Sequence, residues 1–324
     1  GKEKELTFED AIGKAVTVHK PVTRVVTLPP SSLDTIRAIG ANDKVVGVST
    51  YLDKVYFPEL SKLPSVGSSW SRPDYEAIIE LEPDIVLTLG SYNPGIEDKI
   101  GPAGIAVVRM EFNRVDLLPE EIRKLGYIID RENDAEEFAN WYEGWTNEII
   151  SRTDELSENE KPQVYMGYWN KAGGKGTLWD AACIMAGGIN IAGGIDGYCE
   201  VDHEWVIEQN PNVIVKAVTS SEASQGYRED DPIQMKEARE RIMSQVGWEN
   251  TNAVKSGRVY VSAWQLHLGT HTVILIAYMA KWIHPELFED LDPQAIHQGY
   301  LTRFQHLDYN LDEHGVFVYP PLED

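Results

Sequence analysis

Residues 64–90, PSVGSSWSRPDYEAIIELEPDIVLTLG, have a counterpart in the second half of the chain at residues 187–215, GGINIAGGIDGYCEVDHEWVIEQNPNVIV. Each stretch holds a glycine-containing loop and then a Tyr or His followed by Glu, Tyr75-Glu76 in one and His203-Glu204 in the other. That pair opens a short amphipathic helix. A proline and an aliphatic strand close the unit, with Ile85, Val86 and Leu87 in the first copy and Val213, Ile214 and Val215 in the second. A unit repeated about 130 residues apart predicts two similar α/β lobes, and places Glu76 and Glu204 at equivalent points of them.

The flanking sequence extends this pattern. Residues 6–19 read as a hairpin, followed by a strand at 24–28 and the turn Pro29-Pro30-Ser31-Ser32. A helix over 33–39 would be capped by Ser32 and ended by Gly40. Strands at 44–48 and 106–110 and a helix near 95–100 complete an alternation that implies a parallel sheet with right-handed crossovers. Residues 134–156 form a long helix with Phe138, Trp141, Trp145 and Ile149 in one apolar stripe. The polar break SENEKP follows, and strand–helix alternation restarts at 163–168. Helices at 180–186, 232–244, 272–282 and 293–305 and strands at 213–216 and 258–262 build the second half. The expected organisation is an N-terminal α/β lobe over 1–133, a stiff linking helix over 134–157, and a C-terminal α/β lobe over 158–324.

The 324 residues carry 29 Lys plus Arg against 52 Asp plus Glu, a formal charge of −23. Such a surface disfavours nucleic acid and anionic lipid, which need clustered cations. No run of 18 apolar residues occurs, and Thr272–Ile283 is interrupted by Lys281. The polar start GKEKELTFED fits either a cytosolic protein or one whose signal or lipoprotein leader lies upstream. The cysteines are Cys183 and Cys199, and in an exported protein a disulfide between them would add roughly 3 kcal/mol.

Glycine-rich AGGINIAGG and NKAGGKGT lack the spacing of a phosphate-binding loop and read as backbone turns. His267 and His271 stand four apart in WQLHLGTHT, where one helix would place both on one face and could offer them to a metal. No nucleophile elbow, activated cysteine or acid/base pair stands out, so the chain does not read as an enzyme. The remaining signal is aromatic. Tyr51, Trp70, Tyr92, Tyr168, Trp169, Tyr198 and Trp264 fall after predicted strands or before helices, at the carboxyl edge where open α/β sheets bind ligands. Together they suit a wide aromatic-lined cleft and a bulky, partly apolar ligand.

Several blocks in this order resemble a known family: RVVTL at 24–28, IGANDKVVGVS at 39–49, LPSVG at 63–67 and YEAIIELEPDIVL at 75–87. The GGINIA block, EWVIEQNPNVIV at 204–215, AVKSGRVY at 253–260 and WIHPELFEDLDP at 282–293 continue it. The chain is similar to the solute-binding component of ABC importers for iron complexes, haem and cobalamin. That resemblance implies two Rossmann-like lobes with parallel-dominated sheets joined by a single long α-helix, the class III binding-protein arrangement.

It further implies an extracytoplasmic protein, soluble in a periplasm or anchored as a lipoprotein, that acts as a monomer. Such a protein captures a metal chelate between its lobes and hands it to a permease dimer with its ATPase. An Fe(III)–siderophore is the first expectation, with a corrinoid or haem as the alternative, and no resident cofactor. A metal- or tetrapyrrole-handling enzyme of similar shape is the reading from a different class. The family's permease-docking glutamates fall on Glu76 and Glu204. Tyr51, Trp70 and Trp264 match aromatic ligand positions of cobalamin binders. Arg72, Lys171, Lys175 and Arg228 are cations that an anionic chelate would need, and His267 could reach the metal directly.

Overall fold

A computed structural model describes residues 4–68 and 72–322. The chain divides into two compact units, residues 1–142 with 301–307 and residues 143–300 with 308–324.

In the first unit, β1 (Lys4–Glu9) and β2 (Ala15–Lys20) form an antiparallel hairpin in which Leu6 faces Val18. A four-stranded sheet follows, built from β3 (Val25–Thr27), β4 (Val45–Val48), β7 (Ile85–Leu89) and β8 (Ala106–Met110) in the order β4-β3-β7-β8, every pair parallel. The ribbon β5 (Gly67–Ser68) with β6 (Arg72–Pro73) lies between β4 and β7 in the chain. All five residues of β7 are buried, as expected where both faces of a parallel sheet are covered. The covering helices are α1 (Pro30–Ala38), α2 (Tyr75–Glu80), α3 (Ile96–Ile100) and α4 (Leu118–Ile128). Ile78 of α2 packs with Val26, Val66, Val86, Ile96 and Ile100 into one core cluster.

Ser32 does not cap α1. The helix starts earlier, with Pro30 preset for its first turn, and the Ser32 hydroxyl lies 2.7 Å from the Pro29 carbonyl and 2.6 Å from Thr27 Oγ1. Gly40 ends the helix as expected, at φ +64°.

The long helix α5 (Glu132–Thr153) has 22 residues and runs from the first unit into the second. Its buried face is Ala135, Phe138, Tyr142, Thr146 and Ile149. Trp141 and Trp145 are only half-buried at the flank of this face, because Tyr142 and Thr146 hold its centre. Residues 301–307 return to the first unit. There Gln305 accepts a bond from Arg37 Nε at 2.7 Å and donates to the Asp34 carbonyl at 3.1 Å, while Phe304 packs 4.8 Å from Phe138.

The second unit is a seven-stranded mixed sheet. Its parallel centre is β9 (Gln163–Tyr168), β13 (Val213–Val218) and β14 (Val259–Ala263), with β11 (Ile189–Asn190) also parallel to β9. Three antiparallel edges extend it: β10 (Lys171–Gly173), β12 (Tyr198–Glu200) and β15 (Val318–Tyr319). Helices α6 (Leu178–Met185), α7 (His203–Gln209), α8 (Ile233–Met243), α9 (Asn252–Lys255), α10 (Thr272–Ile283) and α11 (Pro293–Gly299) surround the sheet. The expected 293–305 helix is present, with its last part, Tyr300–Phe304, wound as a π-helix.

Candidate functional site

Four of the aromatic residues expected at the ligand edge converge in the second unit, and His267 joins them. Tyr168 ends β9, and its ring centroid lies 5.3 Å from Trp169, 5.4 Å from Trp179 and 5.2 Å from Trp264. Trp179 in turn meets Tyr198 edge-on at 5.4 Å and His267 at 5.4 Å. Trp179 is the hub of this cluster and only 2% exposed, and sequence reasoning missed it. It is seated on bare backbone: a Cβ on Gly173 would stand 2.6 Å from Trp179 Cε3. The glycines that resembled a phosphate loop thus make room for an indole.

Around this hub Trp169 and Tyr198 are 55% and 52% exposed, while Tyr168 and Trp264 are half-buried. Large aromatic faces left in water on a rigid base are what a flat, bulky ligand requires. Tyr198 reaches the cluster by a route that the strand–helix pattern did not contain. The edge strand β10 pairs antiparallel with β12, across α6 and β11 in the chain, and sets Gly173 opposite Tyr198.

In the first unit Tyr51 follows β4 and is 96% exposed, at φ +68°. Tyr92 follows β7 and is also exposed. Arg72 is exposed in β6, and Trp70 lies outside the described residues. A second missed residue organises the Tyr92 loop. Arg109, buried in β8, donates to the carbonyls of Gly90 at 2.7 Å, Tyr92 at 2.6 Å and Asn93 at 3.2 Å. Its guanidinium also grips Glu97 at 2.8 and 3.1 Å, which holds that carboxyl below its ordinary range. A planar fork serving three carbonyls and a carboxylate presets the loop that presents Tyr92. Of the other expected cations, Lys171 lies in β10, and Lys175 and Arg228 are exposed in loops.

The paired-histidine reading is corrected. His267 and His271 lie in separate 3-10 turns, broken by extended Leu268 at φ −125°, so no helix face presents both. His267 Nε2 bonds Ser262 Oγ at 2.8 Å. His271 Nε2 bonds Tyr227 Oη at 2.9 Å, and that hydroxyl also meets His297 Nε2 at 2.9 Å. Among the described residues no group of three or more His, Cys, Asp or Glu side chains could hold a metal ion.

The disulfide expectation is corrected too. Both cysteines are free thiols on different elements, Cys183 buried in α6 and Cys199 on the edge strand β12 with its sulfur 3.8 Å from the Ala172 carbonyl.

Burial without a charged partner pushes the His267 imidazole down to about 3, and burial beside His271 also lowers that of His297. Both stay neutral in the folded protein at pH 7, whereas the unfolded chain takes up their protons below about pH 6.5. Stability should therefore fall as pH drops from about 6.5, by about 1.4 kcal/mol per pH unit for each such histidine. Urea unfolding of His267→Gln should show a shallower loss between about pH 6.5 and pH 5 than the parent. Parallel curves would refute the assignment.

A family model described as periplasmic binding protein matches residues 25–263. The chain belongs to the periplasmic binding protein family. Its similarity extends to an uncharacterised ABC transporter substrate-binding lipoprotein of Bacillus subtilis, 25% identical over 88% of this chain and 87% of the relative. A cobalamin-binding protein of Halobacterium salinarum is 30% identical over 66% of this chain and 59% of its own length. Among solved structures, a TroA-like periplasmic binding protein, FepB, of Veillonella parvula superposes with a TM-score of 0.81. It is 22% identical and is covered to 99%, against 97% of this chain. The molybdate-binding MolA of Haemophilus influenzae superposes at 0.78 with 20% identity, over 94% of this chain and 99% of its own. Those likenesses show the fold.

In this periplasmic binding protein the two repeated helices open identically at the local level. Asp74 caps α2 by accepting from Ala77 N at 3.0 Å, and Asp202 caps α7 by accepting from Trp205 N at 2.7 Å. Glu76 and Glu204 follow two positions after each cap, in the first turn, and both are exposed. The cap holds the helix start, so each glutamate is left to face solvent. The aspartates complete the motif as Asp-Tyr-Glu and Asp-His-Glu, a three-residue signal present in the sequence. Among the described residues no helix is long and apolar enough to cross a membrane.

Proposed function

We propose that this chain is the extracytoplasmic substrate-binding component of an ABC importer for a bulky metal chelate. The aromatic edge of the second unit carries this reading. Trp169 and Tyr198 present exposed rings, backed by Tyr168 and Trp264 on the buried Trp179. Burial of such rings against a ligand supplies roughly 25 cal/mol per Å² without demanding charge complementarity. Tyr51 and Tyr92 are the exposed aromatic candidates of the first unit taken by itself, and Glu76 and Glu204 the permease-docking groups.

Two cargoes have specific support. A corrinoid is favoured by the relatives named for cobalamin and vitamin B12. An Fe(III)–siderophore is favoured by the structural neighbour described as part of an Fe3+-hydroxamate transport system. Titration of the purified protein with cyanocobalamin, ferric hydroxamates, haemin and bare ferric ion, read by tryptophan fluorescence, tests the reading. Saturable quenching by one chelate and none by the bare ion is expected. Binding of the bare ion alone would overturn it.

A further inference from the structure

Strand β13 places Ile214, Lys216 and Val218 on one face of the sheet, because side chains alternate along a strand. Ile214 belongs to one hydrophobic cluster and Val218 to another, and the residue between them is a lysine only 5% exposed. A cavity of about 310 Å³ opens beside it, within the second unit, lined also by Trp169, His203, Ala238, Arg241 and Ile242.

Of the three N–H groups of an ammonium, Lys216 commits one, to the Trp169 carbonyl at 2.5 Å. Its ammonium also stands 5.2 Å from the Tyr165 ring. Glu222 also lines the cavity, but its carboxylate accepts from Thr219 N and Oγ1, both at 3.0 Å. Arg241 donates to the Glu222 carbonyl at 3.1 Å. Among the described residues no carboxylate lies within ion-pair distance of Lys216. The Glu222 carboxylate acts on Lys216 only at longer range, so the buried cation keeps donors left over and no ion-pair partner in contact. That is costly, and a neutral donor would hold the Trp169 carbonyl equally well.

We propose that this cavity is a binding site for a small carboxylate, paired with the Lys216 ammonium. Arg241 adds positive charge at the wall, His203 offers a ring nitrogen, and Ala217, Val218, Ala238 and Ile242 give apolar contact. A two-oxygen group on a short carbon chain fits that mixture better than a phosphate, which asks for more donors than the walls offer. Burial pushes the Lys216 ammonium down to about 8 against the opposing pull of the Glu222 carboxylate, and a bound anion would further favour the charged form. The carboxylate is either a free acid or an acidic arm of the captured cargo.

Calorimetric titration with sodium acetate, sodium succinate and inorganic phosphate, against a chloride control, tests the assignment without any chelate. Its outcome therefore does not depend on the cargo reading. Saturable binding of acetate or succinate is expected, about tenfold or more weaker in Lys216→Met and retained in Lys216→Arg. Thermal melts verify that both variants fold. Repeating the titration on chelate-loaded protein separates the sources: persistent binding marks a free acid, and competition marks an arm of the cargo. No saturable carboxylate binding, binding of phosphate alone, or equal affinity in Lys216→Met overturns the proposal.

Discussion

Replacing Trp179 by alanine is expected to destabilise the protein by about 3–5 kcal/mol and to abolish chelate binding, although Trp179 itself presents almost no surface to a ligand. The indole is 2% exposed, touches Tyr168, Tyr198, Trp264 and His267 at ring-centroid distances of 5.4 to 6.4 Å, and fills the space left by Gly173. Deleting it leaves a cavity under Tyr168, Tyr198 and Trp264, so Tyr198 loses its base directly and Trp169 loses it through Tyr168. Denaturant unfolding together with a chelate titration checks both parts. Trp179→Phe should recover most of the stability and only part of the affinity, because a smaller ring fills the hole without restoring every edge contact. A Trp179→Ala protein of unchanged stability would show that the hub is not the support described.

The second large effect belongs to Glu76 and Glu204. The double change Glu76→Ala with Glu204→Ala should leave cargo affinity within about twofold while reducing transporter-dependent uptake by about a hundredfold. Neither glutamate serves its own helix as the cap; that role falls to Asp74 and Asp202. Their removal therefore should not move the unfolding midpoint beyond the roughly 0.5 kcal/mol usual for surface changes. Changing the aspartates should instead cost about 1 kcal/mol each by uncapping α2 and α7. That pair of outcomes separates docking from helix stability. Normal uptake by the double glutamate variant would remove the docking assignment.

The features legible in the sequence share a physical cause. Val25–Thr27, Ile85–Leu89 and Val213–Val218 are buried on both faces, so they read as short aliphatic runs whose strand character needs no partner information. The two short helices were visible for a related reason, since a Tyr or His followed by Glu, then a proline and an aliphatic run, repeats in both halves. What escaped detection depends on non-local pairing. The edge strands Lys171–Gly173 and Tyr198–Glu200 are three residues each, too short to show alternation, and exist because they pair with one another. Trp179 lies two positions after the cap residue Thr177, in the first turn of α6, and its seat is set by Gly173 six residues earlier, whose bare backbone a sequence pattern does not link to the indole.

Charged residues inside strands, Arg109 and Lys216, were unreadable because Lys216 bonds a backbone carbonyl and Arg109 bonds three of them besides Glu97, and carbonyl partners leave no trace in side-chain patterns. The histidine pair misled for the opposite reason. A spacing of four implies one face only on an α-helix, and α10 begins after His271, at Thr272.

The central claim is that the exposed rings of the second unit receive the cargo, and one measurement addresses it most directly. The affinity of the chelate found in the panel should be compared between the parent protein and the variant Trp169→Ala with Tyr198→Ala. Both side chains are more than half exposed, so the fold should survive their truncation. The account predicts a loss of affinity of about 10- to 100-fold, the scale of removing two aromatic contacts, at an unchanged melting temperature. Equal affinity in the two proteins would contradict it and move the cargo site away from this edge.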